Sequence, residues 1–195
     1  HAPQTPQTRL DGLTKYYPSY HAGSAIQKRF YRFLADHRIP ADEIYTGPTT
    51  GSVPQPRPAS EFVELLGKEG MRVMTLLDVG KLNGTDRTWP KVLPSDFVQR
   101  VLQLVNGSLE QLGLGNTKQP GSLPADLVSD IIANRRLRIY GFDESAPSSA
   151  TAMRQLYGAI KKEYPWLRTM ATINTFTIPG DMPLDTWVTA YSTYL

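Results

Sequence analysis

Cysteine is absent from the 195 residues, which excludes disulfide scaffolds, thiolate metal sites and thiol nucleophiles and leaves the redox compartment open. Histidine occurs three times, spread apart and without a His-x-x-x-His pair, so no metal site is expected. No apolar run approaches the ~18 residues of a membrane span, so none is expected. The first residues, His-Ala-Pro-Gln-Thr-Pro-Gln, lack the charged and apolar regions of a signal peptide. Massed charge of one sign is missing too: Lys+Arg number 21 against 18 Asp+Glu, a net +3. The tightest basic cluster, Arg135, Arg136 and Arg138, falls at a helix-to-strand junction. It reads as solvated surface rather than a phosphate-binding stripe, and nucleic acid is not an expected partner. No Gly-x-Gly-x-x-Gly follows any apolar run, which removes the main support for a dinucleotide-binding sheet; no cofactor is expected.

With 40% hydrophobic and 20% charged residues, the chain can bury a substantial core. Residues 1–22, rich in Pro, Gln and Tyr, show no sustained period and read as an arm or loop; residues 23–195 read as one domain. Ile26, Phe30, Phe33, Leu34 and His37 form a helical stripe ended by Pro40, and Asp42 to Thr46 reads as a short strand before a Pro-rich loop to Pro58. Ser60 can cap a helix with Phe62, Leu65 and Leu66 inward and Gly70 at its end. Met71 to Asp78 follows as a strand apolar on both faces. After a long loop containing Trp89, Ser95 can cap a helix carrying Phe97, Val101, Leu104 and Val105. A Gly-rich break, Gly113 to Gly121, precedes a shorter helix around Leu127, Val128, Ile131 and Ile132. Next come the strand Leu137 to Phe142, a helix capped by Ser148 or Ser149 with Met153, Leu156, Tyr157 and Ile160 inward, the strand Thr169 to Phe176, and a last strand from Trp187 to Tyr191.

Strands that alternate with helices and are apolar on both faces indicate a parallel sheet. An open doubly wound sheet and a closed barrel both fit that alternation. A complete eight-unit barrel usually needs ~250 residues. The expectation is therefore an α/β fold of the parallel (β/α) TIM type in partial form, with five to six of the eight strands present.

Functional groups of parallel β/α folds collect at the C-terminal ends of strands. Thr46, Asp78, Asp143 with Glu144, and Asn174 with Thr175 occupy such positions. Asp143 and Glu144 are the most informative, because adjacent carboxylates at a buried strand end repel each other and crowding raises the proton affinity of one. Desolvation by a wall of Tyr140 and Phe142 reinforces this. A carboxyl group that keeps its proton can donate it to a departing glycosidic oxygen. Gly141 leaves room beside the pair for a sugar ring. The same two residues also read as the start of a solvated loop, with Asp143 or Ser145 capping the next helix.

Phe33-Leu-Ala-Asp-His-Arg-Ile-Pro-Ala-Asp-Glu-Ile-Tyr45, Thr75-Leu-Leu-Asp78, Ile139-Tyr-Gly-Phe-Asp-Glu144 and Leu184-Asp-Thr-Trp-Val188 occur in an order that resembles the catalytic domain of glycoside hydrolase family 123, also catalogued as a domain of unknown function. The resemblance runs from about Arg9 onward, and Tyr-Gly-Phe-Asp-Glu is its sharpest element. It implies a β-N-acetylgalactosaminidase-like retaining hexosaminidase using substrate-assisted catalysis, in which the sugar's 2-acetamido oxygen attacks the anomeric carbon. Asp143 then orients and polarises the acetamido group, and Glu144 protonates the leaving oxygen and later activates water. Two departures from the family pattern stand out: the units that close the barrel are missing, and Leu114 to Arg136 is longer. The isolated chain is expected to be inactive if it is truncated.

Four further residues are candidates for substrate binding. Trp187 could stack on a sugar face or belong to the core. Asn174 and Asp185 could bond hydroxyls or the acetamido group. Asp78 ends a strand in the right layer, with a salt bridge to Lys81 as the alternative. His37 lies on the inner stripe of its helix and reads as structural; Trp89 either shapes a pocket or pins its loop. The expected partner is a glycan containing N-acetylhexosamine, and the rival role is a noncatalytic carbohydrate-binding or scaffold domain. The sequons Asn83-Gly-Thr and Asn106-Gly-Ser point toward a secreted or extracellular setting, although such tripeptides also arise by chance.

Overall fold

A computed structural model describes residues 25–37, 49–50, 53–54, 57–83, 89–115, 121–173 and 180–188. Helix α1 spans Ala25–Asp36, and a minimal antiparallel hairpin pairs β1 (Thr49–Thr50) with β2 (Val53–Pro54). Helix α2 starts at Ala59–Phe62 and widens into a π-helical stretch, Val63–Lys68. After strand β3 (Met74–Asp78) come a 3₁₀ turn (Val79–Asn83) and helices α3 (Ser95–Leu112) and α4 (Ala125–Ala133). Strand β4 (Leu137–Ser145), a 3₁₀ turn (Pro147–Ser149), helix α5 (Ala150–Glu163), strand β5 (Arg168–Ile173) and strand β6 (Thr186–Val188) complete the order. The larger sheet has the order β3-β4-β5-β6, all parallel. The expected strand Asp42 to Thr46 and the ends of the last two expected strands lie outside the described residues.

The helix starts differ from expectation in an instructive way. Ser60 and Ser95 do not cap their helices; Pro58, Pro94 and Pro124 hold the cap positions of α2, α3 and α4, each with φ −57° and ψ of 141° or 142° and no side-chain capping bond. Proline fixes the extended φ that brings the chain into a first turn. Glu61, Asp96 and Asp126 then sit in those first turns, where the helix dipole favours negative charge. Ser149 caps α5 by backbone position only, again without a side-chain bond. Among the described side chains of α1 Leu34 is buried, whereas Phe33 and the following His37 are exposed and His37 Nδ1 lies 2.7 Å from the Phe33 carbonyl. His37 is therefore not on an inner stripe.

A single hydrophobic core takes Leu34 of α1, Phe62, Leu65 and Leu66 of α2, the inner stripes of α3, α4 and α5, and one face of the sheet. Trp89 pins its loop to this core, stacked on Phe142 with ring centroids 4.0 Å apart and edge-on to Phe97 at 5.9 Å. The opposite face of the sheet is mostly polar, with Met170 as a buried apolar member. The register aligns Thr75 with Arg138 and Arg168 in one row, and Asp78 with Tyr140, Met170 and Thr186 in the next.

Strand alternation alone does not give that partition. Met74, Leu76 and Leu77 all belong to the core, so two consecutive residues of β3 face the helices, and the register shifts between Thr75 and Leu77. In β4 the core takes Leu137, Ile139 and Phe142, with a second shift between Tyr140 and Phe142. A bulge inserts one residue and reverses the phase of every side chain beyond it. Because of these two bulges, Asp78 and Asp143 leave the helix face.

The arginines at the helix-to-strand junction are not a solvated cluster. Arg136 donates to the carbonyls of Leu66 (2.9 Å) and Met71 (2.5 Å) and pairs with Asp130, tying α2 and α4 to the start of β4. Arg138 is buried, with Nε donating to Thr75 Oγ1 at 3.0 Å. Asn106, the acceptor of one sequon, lies within α3, and its carboxamide oxygen accepts the Tyr164 hydroxyl at 2.5 Å.

Candidate functional site

Strand β4 runs through Asp143 and Glu144 to Ser145, so both acids belong to the strand and do not open a loop after it. Asp143 is 6% exposed. Its Oδ1 accepts the Tyr140 hydroxyl at 2.7 Å, and the same hydroxyl lies 3.1 Å from Thr172 Oγ1 on β5. Tyr140, Asp143 and Thr172 thus meet on the polar face, with Asp78 in register beside Tyr140 on β3. Asp78 is buried, and its Oδ1 accepts the backbone N–H of Gly80 at 3.1 Å, which fixes the turn leaving β3. The alternative partner, the Lys81 side chain, lies outside the described residues.

Glu144 is placed by a different device. It is exposed and has φ +45°, a left-handed conformation uncommon outside glycine. The register breaks again between Phe142 and Ser145, and Ser145 aligns with Ile173. Ser145 returns to a buried position, and its hydroxyl has no hydrogen-bond partner among the described residues. The left-handed residue therefore lets one side chain project outward while the strand continues. Neighbouring acids of equal chemistry are held in unequal surroundings.

Two expectations about the surroundings are corrected. Phe142 is not a wall beside the carboxylates: it packs in the core against Trp89 and, edge-on at 5.3 Å, against Tyr157. Gly141 does not reserve space for a ligand. A Cβ at that position would lie 2.6 Å from Val79 Cγ2 and 3.4 Å from the Gly80 nitrogen, so the missing side chain admits the 3₁₀ turn after β3. Of the wall expected from sequence only Tyr140 remains, and it contributes a hydroxyl.

The substrate-binding candidates do not all converge. Asp78 shares the polar face and the C-terminal end of the sheet with Asp143. Asn174 lies outside the described residues. Trp187 is 46% exposed and aligns with Ala171, whose side chain is in the core on the helix face, so Trp187 does not face Tyr140. Asp185 lies at the opposite, N-terminal end of the sheet. It pairs with Lys161 and with Arg135 Nη2 (2.5 Å), and accepts from the Thr169 backbone N–H (2.8 Å) and hydroxyl (3.2 Å). Burial works to raise the Asp185 carboxyl, but the bonds from Lys161, Thr169 and Arg135 outweigh it and hold the group below its ordinary value. Burial holds the Lys161 ammonium below its ordinary value, against the opposing pull of Asp185. Asp185 is a clasp joining α5, β5 and the entry to β6.

Tyr140 and Thr172 are the members that sequence reasoning missed as polar partners. Tyr140 and Asp143 are three apart, and regular alternation puts such residues on opposite faces; the bulge brings them together. Among the described residues no group of three or more His, Asp or Glu side chains could hold a metal ion, and no helix is long and apolar enough to cross a membrane. Compared with known proteins, the chain matches no family model, no curated protein and no solved structure.

Proposed function

We propose that the chain is the catalytic domain of a retaining glycoside hydrolase of the β-N-acetylgalactosaminidase type, built on a partial (β/α) barrel. The observation that carries this reading is the pair of bulges that turns Asp78 and Asp143 out of the helix face, together with the left-handed turn that presents Glu144 to solvent. Bulges and strained residues of this kind concentrate at sites where a side chain is re-aimed for function. The barrel part of the reading is supported by the core. The described helices α1 to α5 contribute to one hydrophobic core, and the sheet residues of that core all belong to one face. Buried Thr75, Arg138, Asp78 and Tyr140 on the other face suit a barrel interior.

The roles follow from the two environments. Asp143, inside and fixed, accepts the N–H of the sugar's acetamido group and turns its carbonyl oxygen toward the anomeric carbon. That oxygen forms the new C–O bond as the glycosidic bond breaks, and Glu144 gives its proton to the departing oxygen. Water then adds at the anomeric carbon, its proton returns to Glu144, and the acetamido group is released with the original configuration. The substrate class is a glycan ending in N-acetylhexosamine.

Hydrolysis of 4-nitrophenyl N-acetyl-β-galactosaminide tests the reading. The wild-type chain turns it over, and Glu144→Gln lowers kcat by about a hundred- to ten-thousandfold, the usual contribution of a general acid. Equal rates for the two proteins overturn the assignment. Calorimetric binding of free N-acetylgalactosamine without any turnover replaces it with a noncatalytic carbohydrate-binding role.

A further inference from the structure

We propose that Tyr140 is a positioning residue of this site, fixing Asp143 through a directed chain of hydroxyl groups that begins at Thr172. The inference rests on the glycosidase reading and adds to it the element that sets the orientation of the acetamido-binding carboxylate. A phenol has one proton. The Tyr140 hydroxyl points it at Asp143 Oδ1 over 2.7 Å, and an ionised carboxylate is a stronger acceptor than the Thr172 hydroxyl. The contact to Thr172 at 3.1 Å is geometrically open in either direction. With the phenolic proton committed to the carboxylate, Thr172 is the donor, and the order runs Thr172 O–H to Tyr140 O–H to Asp143 Oδ1.

This chain restricts rotation of the Asp143 side chain. Tyr140 is fully buried and belongs to one of the two inner strands of the sheet, so the hydroxyl is a rigid anchor reached from β5 as well as β4. With Oδ1 held by Tyr140, the carboxylate keeps one orientation toward the acetamido N–H. Loss of the anchor leaves the charge in place and removes its aim. Misplacement of a positioned group by about 1 Å costs on the order of a hundredfold in rate.

The test uses the full chain and the 4-nitrophenyl substrate. Tyr140→Phe lowers kcat by roughly ten- to a hundredfold and changes KM by less than about threefold, because sugar hydroxyls still bind while the acetamido group is poorly aimed. Thr172→Val, at a half-buried position, lowers kcat by about two- to fivefold, since it acts only through the phenol. The double variant falls no further than Tyr140→Phe alone, which two independent packing defects would not produce. Should Tyr140→Phe fail to fold, a Thr172→Val enzyme with unchanged kcat overturns the proposal. A folded Tyr140→Phe within twofold of wild type, or additive losses in the double variant, also overturn it while leaving the glycosidase reading intact. A wild-type chain with no turnover removes both.

Discussion

Glu144 holds a left-handed backbone at φ +45°, and that geometry makes a measurable claim about stability that needs no knowledge of substrate. A side chain bearing a Cβ costs about 1–2 kcal/mol in this region relative to its ordinary conformations, whereas glycine enters it freely. Glycine costs about 0.5–1 kcal/mol in the unfolded chain, through the conformational freedom it must give up. Comparing Glu144→Gly with Glu144→Ala cancels whatever the glutamate side chain itself contributes, because both variants lack it. The difference leaves glycine more stable than alanine by about 0.5–1 kcal/mol, the reverse of the usual order in a strand. For a chain of this size, that corresponds to a melting temperature about 1–4 °C higher. Thermal unfolding followed by circular dichroism reads it directly. An alanine variant as stable as the glycine variant, or more so, refutes the left-handed assignment and with it the outward projection of the acid. In the glycosidase reading both variants are inactive, so a stabilised yet inactive glycine variant would show strain retained for function.

Two further perturbations address the scaffold. Trp89→Ala empties a buried site stacked on Phe142 and should cost about 3–5 kcal/mol in urea unfolding; a loss under about 1 kcal/mol would mean that the loop is not fastened there. Asp185→Asn leaves the partly buried Lys161 without its carboxylate and should cost about 2–3 kcal/mol at neutral pH. The Asp185 carboxyl is lowered in the folded protein, so its contribution is fully present above the unfolded value near pH 4 and disappears as pH falls through the folded value. The gap between wild type and Asp185→Asn therefore narrows in acid, and a pH-independent gap contradicts the clasp. Lys161 acts at the other end of the scale: its lowered folded-state affinity means that the unfolded chain binds the extra proton, so stability from this group rises as pH climbs toward 10.5.

Much of the fold was legible because its signals are local. The inward stripes Phe97, Val101, Leu104 and Val105 of α3 and Met153, Leu156, Tyr157 and Ile160 of α5 repeat at helical spacing, and all are buried except Leu104, which is partly buried against the core. The apolar strands between them implied parallel pairing, and β3, β4 and β5 pair in that way. Other features depended on partners remote in sequence. Arg136 looks like surface charge until the Leu66 and Met71 carbonyls, 70 and 65 residues away, come within reach. Asp185 looked like a sugar ligand because it lies near a strand, but it precedes β6 and so belongs to the N-terminal end, among cations. Strand direction, more than residue type, separates those two ends.

The site was legible as a pair of acids and illegible as an arrangement, because its placement depends on bulges that no alternation pattern announces. Extending β4 without the bulge turns Phe142 toward Tyr140 and drives Asp143 among Ile139, Ala171 and the helices, where an ionised carboxylate is strongly disfavoured. The extra residue corrects both placements together, burying the Phe142 ring against Trp89 and releasing the carboxylate to the Tyr140 hydroxyl. Hydrophobic burial of one aromatic ring therefore stabilises the irregularity that aims the neighbouring acid. Gly141 is the residue that permits it, since any side chain there meets Val79 and Gly80. The five positions of Tyr-Gly-Phe-Asp-Glu thus differ in what each contributes physically, since Tyr140 anchors, Gly141 yields space, Phe142 fastens the bulge, Asp143 is held and Glu144 is turned outward.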